Sequence, residues 1–331
     1  LALSLNVGAK GLSVGGILTV KADSTMAKTV ASSTTGTTAD LGKLPSDSVF
    51  YIYMNMDAKT VNKLQGMSLR MLNPGGKLTP EQAKAQALLE KIGRLETAGG
   101  ASFDGGMRMM NVSHVADARK FIEASLANLQ AMKGGEGLTG VYKDLKIESN
   151  VGTHRGVTFN HVIATIDLEK LTQLSPNNPG TAAAMKSMLG GETLHSWFGT
   201  DGKRVFQITE PAWPGVKARI DAFLDGHARI GESRGFQSVR SQLPEQASLL
   251  AMLSSQRLVR MFANQLAATL NKPELKAPQD LPKEDVFLGA SLTPKRPAGY
   301  EFHLVIPSQA GPIFEKGLVP LFQSIKPPDN P

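Results

Sequence analysis

Five stretches of this sequence share one grammar: an alternating run, a tight turn, a second alternating run, then an amphipathic segment. They are residues 2–20 leading into 21–32, 101–113 into 114–132, 144–166 into 167–174, 193–210 into 211–224, and 286–307 into 308–322. The pattern constrains the fold because its two halves have different periods. In RGVTFNHVIATI the residues Val157, Phe159, His161 and Ile163 fall on one face, and in YEFHLVI so do Tyr300, Phe302, Leu304 and Ile306. Period two describes a strand with one buried face. Between the runs stand Gly105-Gly106, Asp201-Gly202 and Pro297-Ala298-Gly299, residues that supply hairpin turns. The segments that follow switch to helical spacing, as with Phe121, Ile122, Ser125, Leu126 and Leu129. Ser113 or Asp117, Asp167, Pro211 and Ser308 are placed to start these helices. The prediction is an α+β protein: antiparallel sheets built from repeated β-hairpin–helix units, with helices on one face.

A second element occurs twice. Residues 44–64 read LPSDSVFYIYMNMDAKTVNKL and residues 243–262 read LPEQASLLAMLSSQRLVRMF. Each has Leu-Pro, polar residues, an apolar strand and an amphipathic helix. This predicts an internal duplication with a first half at 1–175, a second half at 190–325, and a tail at 326–331. SPNNPGT, from residue 175, reads as the linker between them. A helix is expected over 79–98, a mobile Ser/Thr/Gly loop over 32–42, and an extended Pro-rich connection over 271–285.

Composition bears on location and partners. The chain has 331 residues and no cysteine, which removes disulfides, thiolate metal sites and cysteine nucleophiles. A cysteine-free chain of this size points to an extracytoplasmic bacterial protein, periplasmic or at the cell surface. No run approaches the roughly 18 apolar residues of a membrane span. The sequence begins with Leu1 and at once reads as a strand, so it is expected to be a processed form whose signal peptide lies outside it. The net charge of +7 is dispersed; Pro80–Gly140 holds seven basic and seven acidic residues. Nucleic-acid grooves gather their basic residues, so a nucleic-acid partner is disfavoured, while an anionic envelope surface stays in view.

The motifs carry little chemistry. Gly231-Glu232-Ser233-Arg234-Gly235 spells the G-x-S-x-G of a serine hydrolase. Such an elbow needs a strand running into the serine. Here Val216, Ile220, Phe223 and Leu224 give the preceding segment helical spacing, so Ser233 is expected to cap a helix. The catalytic alternative would use His303 with Asp280 or Asp285. His161 and His303 take matching places in two hairpins, as paired site residues or half-exposed sheet histidines. GTDGKR (199–204) and NPGGKLTP (73–80) do not fit a phosphate loop. Met107, Met109 and Met110 read as sheet packing, and Trp213 between two prolines as a helix anchor. No catalytic, cofactor-binding or metal-ligating residue is assigned.

The repeated Leu-Pro elements, Leu44-Pro45 with SVFYIYM and Leu243-Pro244 with SLLAML, together with the closing strand GYEFHLVIP, resemble a class of large exported α+β proteins of planctomycete-type bacteria. That class implies no catalytic residues. The functional expectation is a non-enzymatic extracytoplasmic binding or structural assembly protein with a protein or envelope partner. The alternatives are a carrier of a lipid or other hydrophobic ligand, and a serine hydrolase using Ser233.

Overall fold

A computed structural model describes residues 2–21, 23–62, 79–133, 142–174, 181–272, 274–275 and 277–323. The protein is α+β. The hairpin signals produce β1 (Ala2–Gly8) and β2 (Gly11–Thr19), β5 (Arg94–Ser102) and β6 (Arg108–Val115), and β7 (Tyr142–His154) and β8 (Val157–Ile166). Further along come β9 (Thr193–Thr200) and β10 (Arg204–Thr209), then β13 (Phe287–Lys295) and β14 (Gly299–Pro307). The Leu-Pro elements contribute β4 (Phe50–Asp57) and β12 (Leu249–Ser254). A short β3 (Gly36–Thr37) pairs with β11 (Gln246–Ala247).

Twelve of these strands form one antiparallel sheet in the order β1-β2-β14-β13-β12-β4-β5-β6-β10-β9-β8-β7. Strands from before residue 175 and from after residue 190 therefore share a single sheet and interleave in it, with β2 beside β14, β4 beside β12, β6 beside β10 and β8 beside β9. Pairing register lines up one row across the sheet: Met252, Tyr51, Gly100, Met110, Ile208, Trp197 and His161. Gly100 is small in this row because a Cβ there would stand 2.7 Å from Ser48 Oγ.

Helices among the described residues include α1 (Thr25–Ser32), α2 (Pro80–Glu90), α3 (Ala118–Met132), α4 (Leu168–Leu174), α5 (Thr181–Leu189), α6 (Trp213–Asp225), α7 (Arg234–Arg240), α8 (Ser255–Thr269) and α9 (Ala310–Gln323). None of the described helices is long and apolar enough to cross a membrane. Their ends are chemically specified. Thr79 and Gln82 form a reciprocal capping box on α2, while Asp117 and Ser254 cap α3 and α8. Gly226 ends α6 at φ 88°.

Helices cover both faces of the sheet, which corrects the expectation of one. Val216, Ile220 and Phe223 of α6, with Phe236 and Val239 of α7, pack on the face carrying Tyr51, Met110, Phe159, Phe206 and Met252. On the opposite face, Ala118 and Ile122 of α3 pack with Val205, Phe198, Val162 and Leu145. Strand alternation makes this inevitable: Val205 and Phe206 are neighbours on β10, both buried, and point opposite ways.

Other expectations need correction. The helix expected over 79–98 stops at Glu90; Gly93 turns the chain at φ 77° and 94–102 becomes β5. Helix-forming composition yields there to burial between β4 and β6. The 32–42 segment contains a 3-10 turn at Ala39–Lys43 whose Leu41 is fully buried, so its apolar anchor outweighs its loop-like composition. Asp117 and Asp167 serve as helix caps, whereas Ser113 lies within β6, Ser308 Oγ donates to the Ala9 carbonyl, and α6 starts beyond Pro211. The 271–285 connection carries neither helix nor strand in its described residues. The expected linker at 175–180 and the tail at 326–331 lie outside the described residues.

Candidate functional site

Ser233 sits between a 3-10 turn (Ile230–Glu232) and α7. No strand leads into it. Its Oγ accepts from the Phe236 N–H at 3.5 Å, the capping role expected. Both glycines of the motif are explained by close approach. A Cβ on Gly231 would lie 2.7 Å from the Gly42 carbonyl oxygen, and one on Gly235 would lie 1.8 Å from that of Asp285. G-x-S-x-G here is a packing and capping motif. Ser233→Ala is expected to cost about 1 kcal/mol and Gly235→Ala about 1–3 kcal/mol, readable in urea denaturation. A larger loss for Ser233→Ala than for Gly235→Ala would contradict this assignment.

Of the two readings of His161 and His303, the structure does not support a pair, and as sheet histidines they differ in burial, His161 being buried and His303 partly exposed. His303 is on β14, two strands from one edge of the sheet, while His161 is on β8, next to the other edge strand. The structure does not bring them together. His161 instead meets His195 of β9, Nε2 to Nδ1 at 3.0 Å, and Glu148 of β7, Nδ1 to Oε2 at 3.2 Å. It stacks on Trp197 with 3.8 Å between ring centroids. Burial favours the neutral imidazole and lowers the His161 pKa; the Glu148 contact opposes this without reversing it. His303 contacts Glu301, His114 pairs with Asp40, and His154 with Asp221. Among the described residues no three histidine or acidic side chains, these included, are arranged to hold a metal ion. Trp213 opens α6 and packs on Phe159 and Trp197, as an anchor would. Met110 is buried in the sheet core.

The residues most suited to binding were not singled out from sequence. They surround a cavity of about 270 Å³ at one end of the central strands. Arg108 enters from the start of β6, Arg257 and Arg260 from the first turns of α8, and Lys283 from the loop before β13. Asp47, Asp104 and Asp285 also line it. Arg257 is held by Asp285, Nε to Oδ2 at 2.9 Å, and Ser254, the cap of α8, donates to the same carboxylate at 3.1 Å. The first turn of α8 has no acidic residue, so the positive end of its helix dipole adds to the local field.

Behind the cavity lies a buried ion network. Arg219 of α6 is 6% exposed and bonds Glu210 just after β10. It also holds Asp47 with a two-pronged contact, at 3.2 and 2.9 Å. Burial opposes the charge on Arg219, yet Asp47 and Glu210 outweigh it and raise its pKa. Arg108 lies 4.0 Å from Glu210. The network fixes the Asp47 wall of the cavity and engages two of the acidic groups near it. The cavity can thus offer guanidinium and ammonium donors to a small charged group. Sequence did contain one cue, the i, i+3 spacing of Arg257 and Arg260 on a helix. Arg108 joins them only through the pairing of β12 with β4, β4 with β5 and β5 with β6, and Lys283 through that of β12 with β13.

A second cavity, of about 220 Å³, lies among Leu89, Leu95, Phe121, Leu129 and Phe198, with Asn62 and Gln207 in its wall. Both volumes fall below the roughly 300 Å³ at which drug-sized ligand pockets begin. No family model, curated protein or solved structure matches this chain.

Proposed function

We propose that this chain is a non-enzymatic binding protein of an extracytoplasmic bacterial compartment, with the charged cavity as its site for an anionic group. The observation that carries the reading is the convergence of Arg108, Arg257, Arg260 and Lys283 on one cavity of about 270 Å³. A phosphate or carboxylate is the chemistry such donors recognise. The extracytoplasmic placement rests on the absence of cysteine from 331 residues.

The framework behind the site is two related halves that exchange their first hairpins. From the central β4–β12 pair outward, the sheet runs β5-β6-β10-β9 in one direction and β13-β14-β2-β1 in the other, and the hairpin β8-β7 extends the first side beyond β9. Residues 36–37, before the first Leu-Pro, pair with 246–247, after the second. Arg229, before the second Leu-Pro, bridges Pro45 of the first. Such interchange favours an ancestral duplication over two independent strand-helix runs.

The test is thermal unfolding at low ionic strength with inorganic phosphate or succinate. An anion at a hundred times its dissociation constant is expected to add about 2.7 kcal/mol, which raises Tm by about 4 °C. Arg260→Gln should remove the shift without changing the Tm of the unliganded protein. If neither anion moves the wild-type Tm, the cavity is not an anion site.

A further inference from the structure

We infer that β1 is a homodimerisation edge, pairing antiparallel with β1 of a second copy of this chain. The inference is independent of the anion site.

The hydrogen-bonding direction of β1 follows from its neighbours. Val20 N–H bonds Ala298 O at 3.0 Å, and Ser308 N–H bonds Lys10 O at 3.1 Å. These bonds flank the pairs Thr19–Gly299 and Gly11–Pro307. Both are therefore non-hydrogen-bonded pairs of β2 with β14. The backbone groups of Gly11, Ser13, Gly15 and Ile17 must then face β1, where they meet Gly8, Asn6, Ser4 and Ala2. That leaves the N–H and C=O groups of Leu3, Leu5 and Val7 directed out of the sheet edge.

The side chains at these positions match that geometry. Leu3, Leu5 and Val7 are 65%, 68% and 73% exposed. They sit opposite Gly16, Val14 and Leu12 of β2, so they continue an apolar row across the sheet surface. The strand ALSLNVG has no charge and no proline. Natural edges carry such features to prevent strand addition. The opposite edge has them: β7 contains Lys143, Asp144, Lys146 and Glu148, and its register breaks between Glu148 and Gly152. An uncharged β1 with unbroken register does not fit that edge, so head-to-tail stacking of sheets is disfavoured. A second β1 does fit. With the two-fold axis at Leu5, Leu3 lies opposite Val7 and about six backbone hydrogen bonds form. The interface is isologous and closes as a dimer.

Sedimentation of the whole chain tests this. The expected result is reversible assembly from the 35.3 kDa chain mass to twice that value. Leu5→Lys places a charge at the axis of an exposed edge and should weaken association by at least about tenfold with the fold intact. Because the chain lacks cysteine, Leu5→Cys introduces a single thiol. Hydrogen-bonded partners in antiparallel strands lie about 5.5 Å apart at Cα, within disulfide range, so mild oxidation should link the dimer. A monomer at 100-fold varied concentration would overturn the inference. So would a dimer that Leu5→Lys leaves unchanged and Leu5→Cys fails to link, because it would use another surface. Open-ended oligomers would also overturn it, by showing head-to-tail pairing or a different partner edge.

Discussion

Replacing Arg219 by methionine is expected to cost the fold about 3–5 kcal/mol, the usual result of removing one partner from a buried ion pair. The reason lies in what remains. Glu210 is 7% exposed, and without Arg219 the one cationic partner left to its carboxylate among the described residues is Arg108, at 4.0 Å. A charge held in a low-dielectric site with so distant a partner is strongly disfavoured. The other side of the network should matter less. Asp47 has half-exposed carboxylate surface, so Asp47→Asn exchanges a partly screened ion pair for a hydrogen bond and should cost about 1 kcal/mol or less. Adding Glu210→Gln to Arg219→Met removes the orphaned charge and should recover part of the loss. Urea denaturation of the four proteins reads these differences as midpoint shifts at constant slope. Equal losses for Arg219→Met and Asp47→Asn would show that burial does not set the energetics of this network.

Phe206→Ala should be about as damaging, at about 3–5 kcal/mol. Phe206 is fully buried in β10, with its ring edge-on to Phe223 of α6 at 6.0 Å between centroids. Truncation removes a large apolar surface and leaves a cavity walled by other sheet and helix residues, which can relax only partly. Phe322→Ala is the matched control. Phe322 lies on α9 and is 57% exposed, so the same chemical change should stay within about 0.5 kcal/mol. A loss below about 1.5 kcal/mol for Phe206→Ala would mean that α6 collapses into the space, and that the helix is held less rigidly than its packing suggests.

The candidate site was much less legible in the sequence than the strands. The histidines illustrate why. His161 and His195 are 34 residues apart and fall into contact because Trp197 sits opposite His161 in the β8–β9 register, which places His195 diagonally beside it on the same face. Matching positions in two hairpins suggested His161 with His303 instead, but equivalent positions in separate units need not be neighbours in space. The charged cavity presents the same difficulty. Arg257 and Arg260 can be placed together from helical spacing alone, whereas Arg108 is about 150 residues away in the sequence and reaches them only through strand order. By contrast, Ser233 was legible because capping is local: a serine directly before a helical run and three residues before Phe236 has few other uses for its hydroxyl.

What sequence alone determined is whatever depends on neighbours along the chain. Alternation of Val157, Phe159, His161 and Ile163 specified a strand, though not that Val162 and Ala164 on its other face are buried too, and the turn residues and the caps Asp117 and Asp167 marked where hairpins stop and helices start. These features arise from φ/ψ preference and side-chain period, both properties of a few consecutive residues. Only the tertiary structure decided that the hairpins form one sheet, that helices cover both its faces, that β4 and β12 meet at its centre, and that Arg94–Ser102 is a strand. Those outcomes depend on which apolar faces find each other and on which backbone groups remain unpaired. Both are set by burial summed over the whole chain, where local propensity contributes only fractions of a kcal/mol per residue.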